Sequence, residues 1–569
     1  MVTQRRPETK LTAMIAGLFF LVTGLAPGIV LAQTEVEALK QQMQQLSEMM
    51  QTVQKKLETI ETNTEKKETE IKEIDQRLNK AEMHTASDKI GLGLELRSRA
   101  ESIHYDDMRT APSALFNSFF TPAPQGFNGA TGQQIQQAIA GMAAAGMVPP
   151  PQKADIDNDI IYTNKFRLNM MAKVNDQLNF AGRLAAYKVF GDSTEVKFNT
   201  GSLGDVTFDG NTASLPHGDT IRLERAYFNY KNQAGQIPIN LSFGRRPSTD
   251  GPPLEYGNYS LEAGSPLAHI INWQFDGASL SFGLEEMTGI PGFALKLCYG
   301  VGFESDWGNS GSLSSQSDVD DVHLMGFIAT LYDDEVSSAE LNYAHASDIT
   351  DGFTGLTVMP FIISVNGAGA YTFTPNSGAF ISRMEPTTNL GNWDAATLLL
   401  RTNLMERFEK DIDLFLSLAW THTDPDTISR NPFYNLLGYG LLSSNGKLEA
   451  QDGYGLYAGA IFPMPFDARL GVEYNYGSRY WFNFTGAEDS LIGSKLATRG
   501  QVWESYYLQP IFKDNFFLKL GGQYYDYEYT GSGNPLGKPV KISDATALDT
   551  LFPVVDKVWN LYLSATLRY

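Results

Sequence analysis

Residues 559–569 read WNLYLSATLRY. Trp559, Leu561, Leu563, Ala565, Leu567 and Tyr569 fall on one side of an extended strand, because successive side chains of a strand point opposite ways. Asn560, Tyr562, Ser564, Thr566 and Arg568 fall on the other. The same period of two recurs upstream. In IGLGLELRSRAE (90–101), Ile90, Leu92, Leu94 and Leu96 oppose Glu95, Arg97, Arg99 and Glu101. In FRLNMMAKV (166–174), Phe166, Leu168 and Met170 oppose Arg167, Asn169 and Lys173. IDLFLSLAWTH (412–422) and ARLGVEYNY (468–476) repeat the scheme, the second with Arg469 and Glu473 on its polar side. Strands of this length suit the ~9–11 residues that cross a bilayer when tilted. Aromatic residues at strand ends, such as Trp420, Tyr476 and Trp559, suit its interfaces.

Composition agrees. The chain has 569 residues with 52 Gly, 26 Tyr and 33 Phe, and only 19% are charged, which favours one large barrel over several linked soluble domains. Its formal charge of −21 and the lack of any dense basic block exclude nucleic acid as a partner. That acidity suggests a preference for cations. Cys298 is the only cysteine, so a disulfide framework, a Cys-rich zinc site and a c-type haem attachment are excluded. After the first 32 residues no apolar run approaches the ~18 needed for a spanning helix. A membrane location therefore requires a closed barrel, which satisfies every backbone group in lipid.

Tight turns are expected at 175–177, 275–277, 332–335, 463–467 and 512–515, and long loops between them, the asymmetry of bacterial barrels. The strand count is 16 or 18. GFALKLCYGVGF (292–303) and LTVMPFIISV (356–365) both read as strands, but keeping both upsets the alternation of short and long connections, so the second is also a candidate for a folded loop. QQIQQAIAGMAAAGMVPPP (133–151) reads as a short helix ended by prolines, placed either in the lumen or as a lid.

Two segments precede the barrel. Arg5, Arg6 and Lys10, an apolar run and Val30-Leu31-Ala32 form a secretory signal peptide, residues 1–32; the alternative is an uncleaved anchor. Residues 33–86 carry heptads, with a seam that includes Leu39, Leu46, Val53, Leu57, Ile60, Ile71, Ile74 and Leu78. This is a periplasmic coiled coil, and the β-branched residues at d favour a homotrimer. A lone amphipathic helix is the alternative. The fold expected is thus an all-β transmembrane antiparallel barrel, residues 87–569, preceded by an α-helical coiled coil.

YTNKFRLNMMAKVN, SFGRRPSTDGPP, LEEMTGIPG, LGVEYNYGSRYWFNFTGAEDSLIGSKLATRG and QYYDYEYTGSGNPLG, together with the heptads, resemble a family of outer-membrane porins still classed as a domain of unknown function. The resemblance spans nearly the whole mature chain. It implies an outer-membrane barrel and assigns no catalytic residue.

Candidate pore-lining residues are Glu95, Arg97, Arg99, Arg167, Lys173, Arg183, Arg245, Arg246, Arg469 and Glu473. Facing rows of opposite charge would set a transverse field across a pore; any hydrated lumen also holds such residues. Of Arg245 and Arg246, at most one faces the lumen if the strand continues, either steering anions or tied to carboxylates at the rim. Asp155, Asp157 and Asp159 open like a calcium loop, but Ile160 and Phe166 stand where that loop needs Gly and Glu. No metal site, cofactor or enzymatic framework is expected. Leu563, Ala565, Leu567 and Tyr569 fit the terminal signal that directs barrels to the outer-membrane assembly machinery. The function expected is a porin passing small polar solutes or ions, a water-filled channel in outer-membrane lipid. The alternatives are a sheath for a periplasmic cytochrome and a tether to the cell wall.

Overall fold

A computed structural model describes residues 90–569 except 149, 192–220, 261–263, 304–318, 352–354, 358–360, 379–381, 385, 431–441, 443–446, 486–489, 534–537, 548 and 551–552. The expected signal peptide and the heptad seam lie outside the described residues.

Sixteen antiparallel strands close into one barrel. They are β1 (Ile90–Thr110), β2 (Gln152–Lys173), β3 (Leu178–Val189), β4 (Arg222–Ala234), β5 (Ile237–Arg245), β6 (Asp276–Gly283), β7 (Ala294–Phe303) and β8 (Val322–Asp333). The second half comprises β9 (Ser337–Thr350), β10 (Asn389–Asn403), β11 (Asp413–Pro425), β12 (Gln451–Met464), β13 (Ala468–Gly477), β14 (Gly500–Phe512), β15 (Phe516–Tyr527) and β16 (Lys557–Arg568). Each pairs with its neighbours in sequence, and β16 closes on β1 from Glu95↔Arg568 to Asp106↔Lys557. Closure leaves no free edge for other chains to pair with. The opening stretch is therefore half of the closing seam, with Leu94 and Tyr569 exchanging both backbone hydrogen bonds at 2.8 and 2.9 Å.

The period-two pattern sets the two faces. On β16, Leu561, Leu563 and Leu567 are exposed outward while Tyr562, Ser564 and Thr566 are buried inward. Leu94, Leu96, Leu418 and Val472 likewise stand on the outer surface. Such an apolar exterior is stable in hydrocarbon and costly in water. Phe408, Phe466, Phe512 and Tyr569 project at the short-turn end, and Tyr454 and Trp503 lie towards the other end, as interfacial girdles require.

The count is 16 because LTVMPFIISV is not a wall strand. Residues 355–357 pair with 382–384, and 361–365 with 371–375, as small sheets of the loop between β9 and β10. Such ribbons alternate as wall strands do. GFALKLCYGVGF does supply β7. The turn expected at 275–277 is absent: Asp276 and Gly277 open β6. Gly277 serves there because a Cβ would collide with the Tyr299 carbonyl of β7. The short connection on this part of the wall is residues 284–293.

The 133–151 stretch forms helix α2 (Gly132–Ala144), capped by a Thr131/Gln134 box, after α1 (Ser113–Phe120). Phe119, Phe127 and Ile135 pack with Phe361 and Phe373 of the 361–375 hairpin. Two long loops thus join into one apolar cluster, and the α2 stretch belongs to it.

Two other long loops enter the barrel. The described parts of residues 246–275, with α3 (Leu254–Asn258), and of residues 478–499 meet in a two-residue parallel pairing, Phe484↔Ile271 and Thr485↔Asn272. Ile270, Trp273, Trp481 and Phe484 pack with inward-facing Trp393, Ala344 and Ala346 of the wall. Part of the lumen is therefore filled as a protein core, and the polar remainder lies against β1–β5 and β13–β16.

Candidate functional site

The infolded loop begins at the long-loop end, yet Tyr259 reaches the short turn 513–515, where its hydroxyl donates to Asp514 at 2.9 Å. Arg568, near the end of β16, donates to the Tyr259 carbonyl at 2.5 Å and the Asn258 carbonyl at 3.3 Å. The guanidinium of Arg469 lies 5.5 Å from the Tyr259 ring centroid. The loop therefore traverses the lumen and is held at the short-turn end.

Arg167 is the hub of one wall network. It grips Glu224 of β4 through Nε and Nη2, both at 3.0 Å, and reaches Asp250 of the loop at 2.9 Å and Glu95 of β1 at 3.3 Å. Arg183 adds a bond to Glu224 at 3.2 Å, and Arg568 one to Glu95 at 2.8 Å. Burial pushes the Asp250 carboxyl up, but the Arg167 guanidinium overrides it and holds the group below the usual carboxylate range.

Lys495, from the second infolded loop, is the other hub. Its ammonium donates to Glu473 at 2.5 Å and Glu504 at 2.7 Å. Tyr457 and Tyr506 also donate to Glu473, and Tyr562 to Glu504. Fully bonded carboxylates of this kind tolerate burial that an unpaired charge would not. Arg401 fixes the first infolded loop, 246–275, by pairing with Glu255 at 2.8 Å, and also pairs with Glu340 of β9. Burial pushes the Glu255 carboxyl up despite that pairing.

Between the loop and β1, β14, β15 and β16 lies a charged cavity. Arg97, Arg99, Arg167, Lys495, Lys519 and Arg568 line it, against Glu95, Asp250 and Glu504, so six basic groups face three acidic ones. The chain as a whole is acidic, but this part of its interior is basic.

The expected pore-lining residues are thus largely gathered, though by direct pairing rather than as two rows across open water. Glu95, Arg97, Arg99 and Arg167 line the cavity, and Arg183 and Glu473 lie in the adjoining networks. Arg469 reaches inward at the short-turn end. Lys173 sits at the exposed end of β2, paired with Asp176 of the next turn at 2.7 Å. Arg245 is tied to Asp276 at the rim at 2.9 Å, while Arg246 reaches Ser242 of β5 and Ser265 of the infolded loop. Asp157 of the acidic trio lies on β2 against His104. Glu224, Glu504, Lys519 and Arg568 were signalled only by strand alternation; Asp250 and Lys495 lie in aperiodic loops and had no signal.

An antiparallel barrel closed through its first and last strands, apolar outside and charged within, is a transmembrane barrel of the outer-membrane type. The chain belongs to the DUF3373 family of proteins of unknown function, whose model matches residues 155–569. Comparison with curated proteins gives no match. Among solved structures, the trimer form of OmpT from Vibrio cholerae is similar at 10% identity, over 84% of this chain and 99% of that one, with a TM-score of 0.35. OprB of Pseudomonas putida is similar at 10% identity, over 84% and 94%, with a TM-score of 0.38. An anion-selective porin from Comamonas acidovorans is similar at 11% identity, over 84% and 99%, with a TM-score of 0.40.

Proposed function

We propose that the protein is an outer-membrane porin for passive diffusion of small polar solutes or ions, with its constriction made by the infolded loop 246–275. The observation that carries this reading is the span of that loop, from the rim at Arg246 to the opposite turn at Asp514, beside a cavity lined with charge. A loop held across a lumen narrows it and lets its own and the facing side chains select what passes. Reconstituted full-length protein in planar bilayers is expected to give ohmic single-channel steps. Correctly folded protein without conductance would overturn the reading.

The occupied lumen weighs against the cytochrome sheath, since the infolded loops take the volume that a partner domain would need. Trimerisation and attachment to the cell wall both rest on residues 33–86 in the periplasm. Chemical crosslinking of the intact chain, and envelope attachment after deletion of residues 36–81, test them separately. Leu563, Ala565, Leu567 and Tyr569 are the proposed contact for the assembly machinery; replacing Tyr569 by Ser should lower the amount of assembled barrel without changing its channel properties.

A further inference from the structure

Ser564 stands in the middle of a row that crosses three strands. Its partner on β1 is Arg99 and its partner on β15 is Lys519. Directly paired residues share a face and stand about 5 Å apart. The two cations therefore flank the serine on the inward face, and all three residues line the charged cavity.

Their donors are under-used. The Lys519 ammonium lies 4.3 Å from the Tyr506 ring centroid and 5.3 Å from that of Tyr562, and its nearest carboxylate oxygen, on Glu504, is 3.6 Å away. That is outside hydrogen-bond distance, and Glu504 is already engaged by Lys495 and Tyr562. Among the described residues no hydrogen bond reaches the Lys519 ammonium or the Ser564 hydroxyl, and Ser564 is only 5% exposed. The Arg99 guanidinium lies 4.1 Å from the same Tyr562 ring, with one nitrogen on Glu101 at 2.7 Å and its Nε without a hydrogen-bond partner.

An ammonium, a hydroxyl and part of a guanidinium, largely removed from solvent, favour an acceptor that is negative and carries several oxygens. We infer that Arg99, Ser564 and Lys519 form a binding site for a small oxyanion, of the phosphate, sulfate or carboxylate type, within the lumen. This rests on the porin reading and names its substrate class. It also opposes the cation preference that the overall charge of −21 suggests.

The test uses full-length protein in planar bilayers under a KCl gradient, with inorganic phosphate, sulfate or acetate added as separate arms. The expected results are a reversal potential favouring anions and a chloride current blocked by at least one oxyanion. Lys519→Gln and Arg99→Gln should each weaken that block about tenfold, as loss of one charge-assisted contact does. Lys519→Arg should retain it, and heat-modifiable migration on gels verifies that each variant is folded. An open channel whose chloride current none of the three anions affects would overturn the site, as would an unchanged block in folded Lys519→Gln and Arg99→Gln. Absence of conductance would instead overturn the porin reading. Calorimetric titration of the micelle-held protein with the same anions then decides the site: heat lost in Lys519→Gln supports it, and no binding by the parent protein overturns it.

Discussion

The Tyr259 hydroxyl and the Asp514 carboxylate, 255 positions apart, meet at 2.9 Å where a loop from one end of the barrel touches a turn at the other. Tyr259→Phe removes one hydrogen bond, worth about 0.5–1.5 kcal/mol, while Arg568 still holds the backbone carbonyls of Asn258 and Tyr259. The single variant should therefore show more frequent current fluctuations at unchanged mean conductance. Tyr259→Phe with Arg568→Gln should raise the conductance itself. Burial, and then the bond to Asp514, push the Tyr259 phenol up. A group raised in the folded state contributes below its unfolded pKa of about 10 and loses that contribution as pH rises further. Alkaline pH above about 10 should thus reproduce the single variant's noise.

Arg167 serves three carboxylates on three elements: Glu224 of β4, Glu95 of β1 and Asp250 of the infolded loop. Arg167→Gln leaves them without their main counter-charge, and breaking a buried pair by removing one partner costs about 3–5 kcal/mol. The temperature at which the barrel loses its compact gel mobility should fall. Arg167→Lys should recover little, because an ammonium cannot present the fork that Glu224 accepts. Arg167→Gln combined with Glu224→Gln should recover more, which separates the ion pair from simple loss of volume.

His269 predicts an acid response. It is wholly buried, with Nδ1 on Ser417 at 2.9 Å and Nε2 without a hydrogen-bond partner, and burial pushes its pKa down to about 3. The folded chain thus binds fewer protons here than the unfolded chain, whose imidazole titrates near 6.5. The contribution is complete above that unfolded value and falls with pH until about 3, amounting to roughly 2 kcal/mol lost by pH 5. His269 packs beside Trp481, so both infolded loops should loosen together. Proteolysis of residues 246–275 and 478–499 should accelerate between pH 6.5 and 5 in the native protein and become less pH-dependent in His269→Gln.

Strand alternation was enough to read the two faces of the barrel and most of its charged interior. Glu95, Arg97, Arg99, Arg167 and Glu473 were readable because a period of two assigns each strand residue to a side. Pairing was not readable, because register and strand tilt decide that Arg167 meets Glu224, 57 positions away. The interior loops were least readable. Nothing periodic marks Asp250, His269 or Lys495, whose places depend on contacts with distant strands. Asp276-Gly277 shows a local rule overridden, since a dipeptide typical of turns opens β6 where a neighbouring carbonyl comes close.

One inward row alternates Gly471, Tyr506, Gly521 and Tyr562 across β13, β14, β15 and β16. A Cβ on Gly471 would be driven into the Tyr506 ring, and one on Gly521 into the Tyr562 hydroxyl. The glycines are thus the space into which the tyrosines lie, so that Tyr506 reaches Glu473 and Tyr562 reaches Glu504. Gly471→Ala should cost about 1–3 kcal/mol for overpacking, together with the hydrogen bond to Glu473. Gly141→Ala in α2, where a Cβ meets nothing within 4 Å, is the control and should be neutral or slightly stabilising. Urea unfolding in micelles, followed by tyrosine and tryptophan fluorescence, checks both. Combining Gly471→Ala with Tyr506→Leu should recover part of the loss, because the shorter side chain clears the new Cβ. If the combination is no better than Gly471→Ala alone, the glycine is required by its backbone and not by the ring beside it.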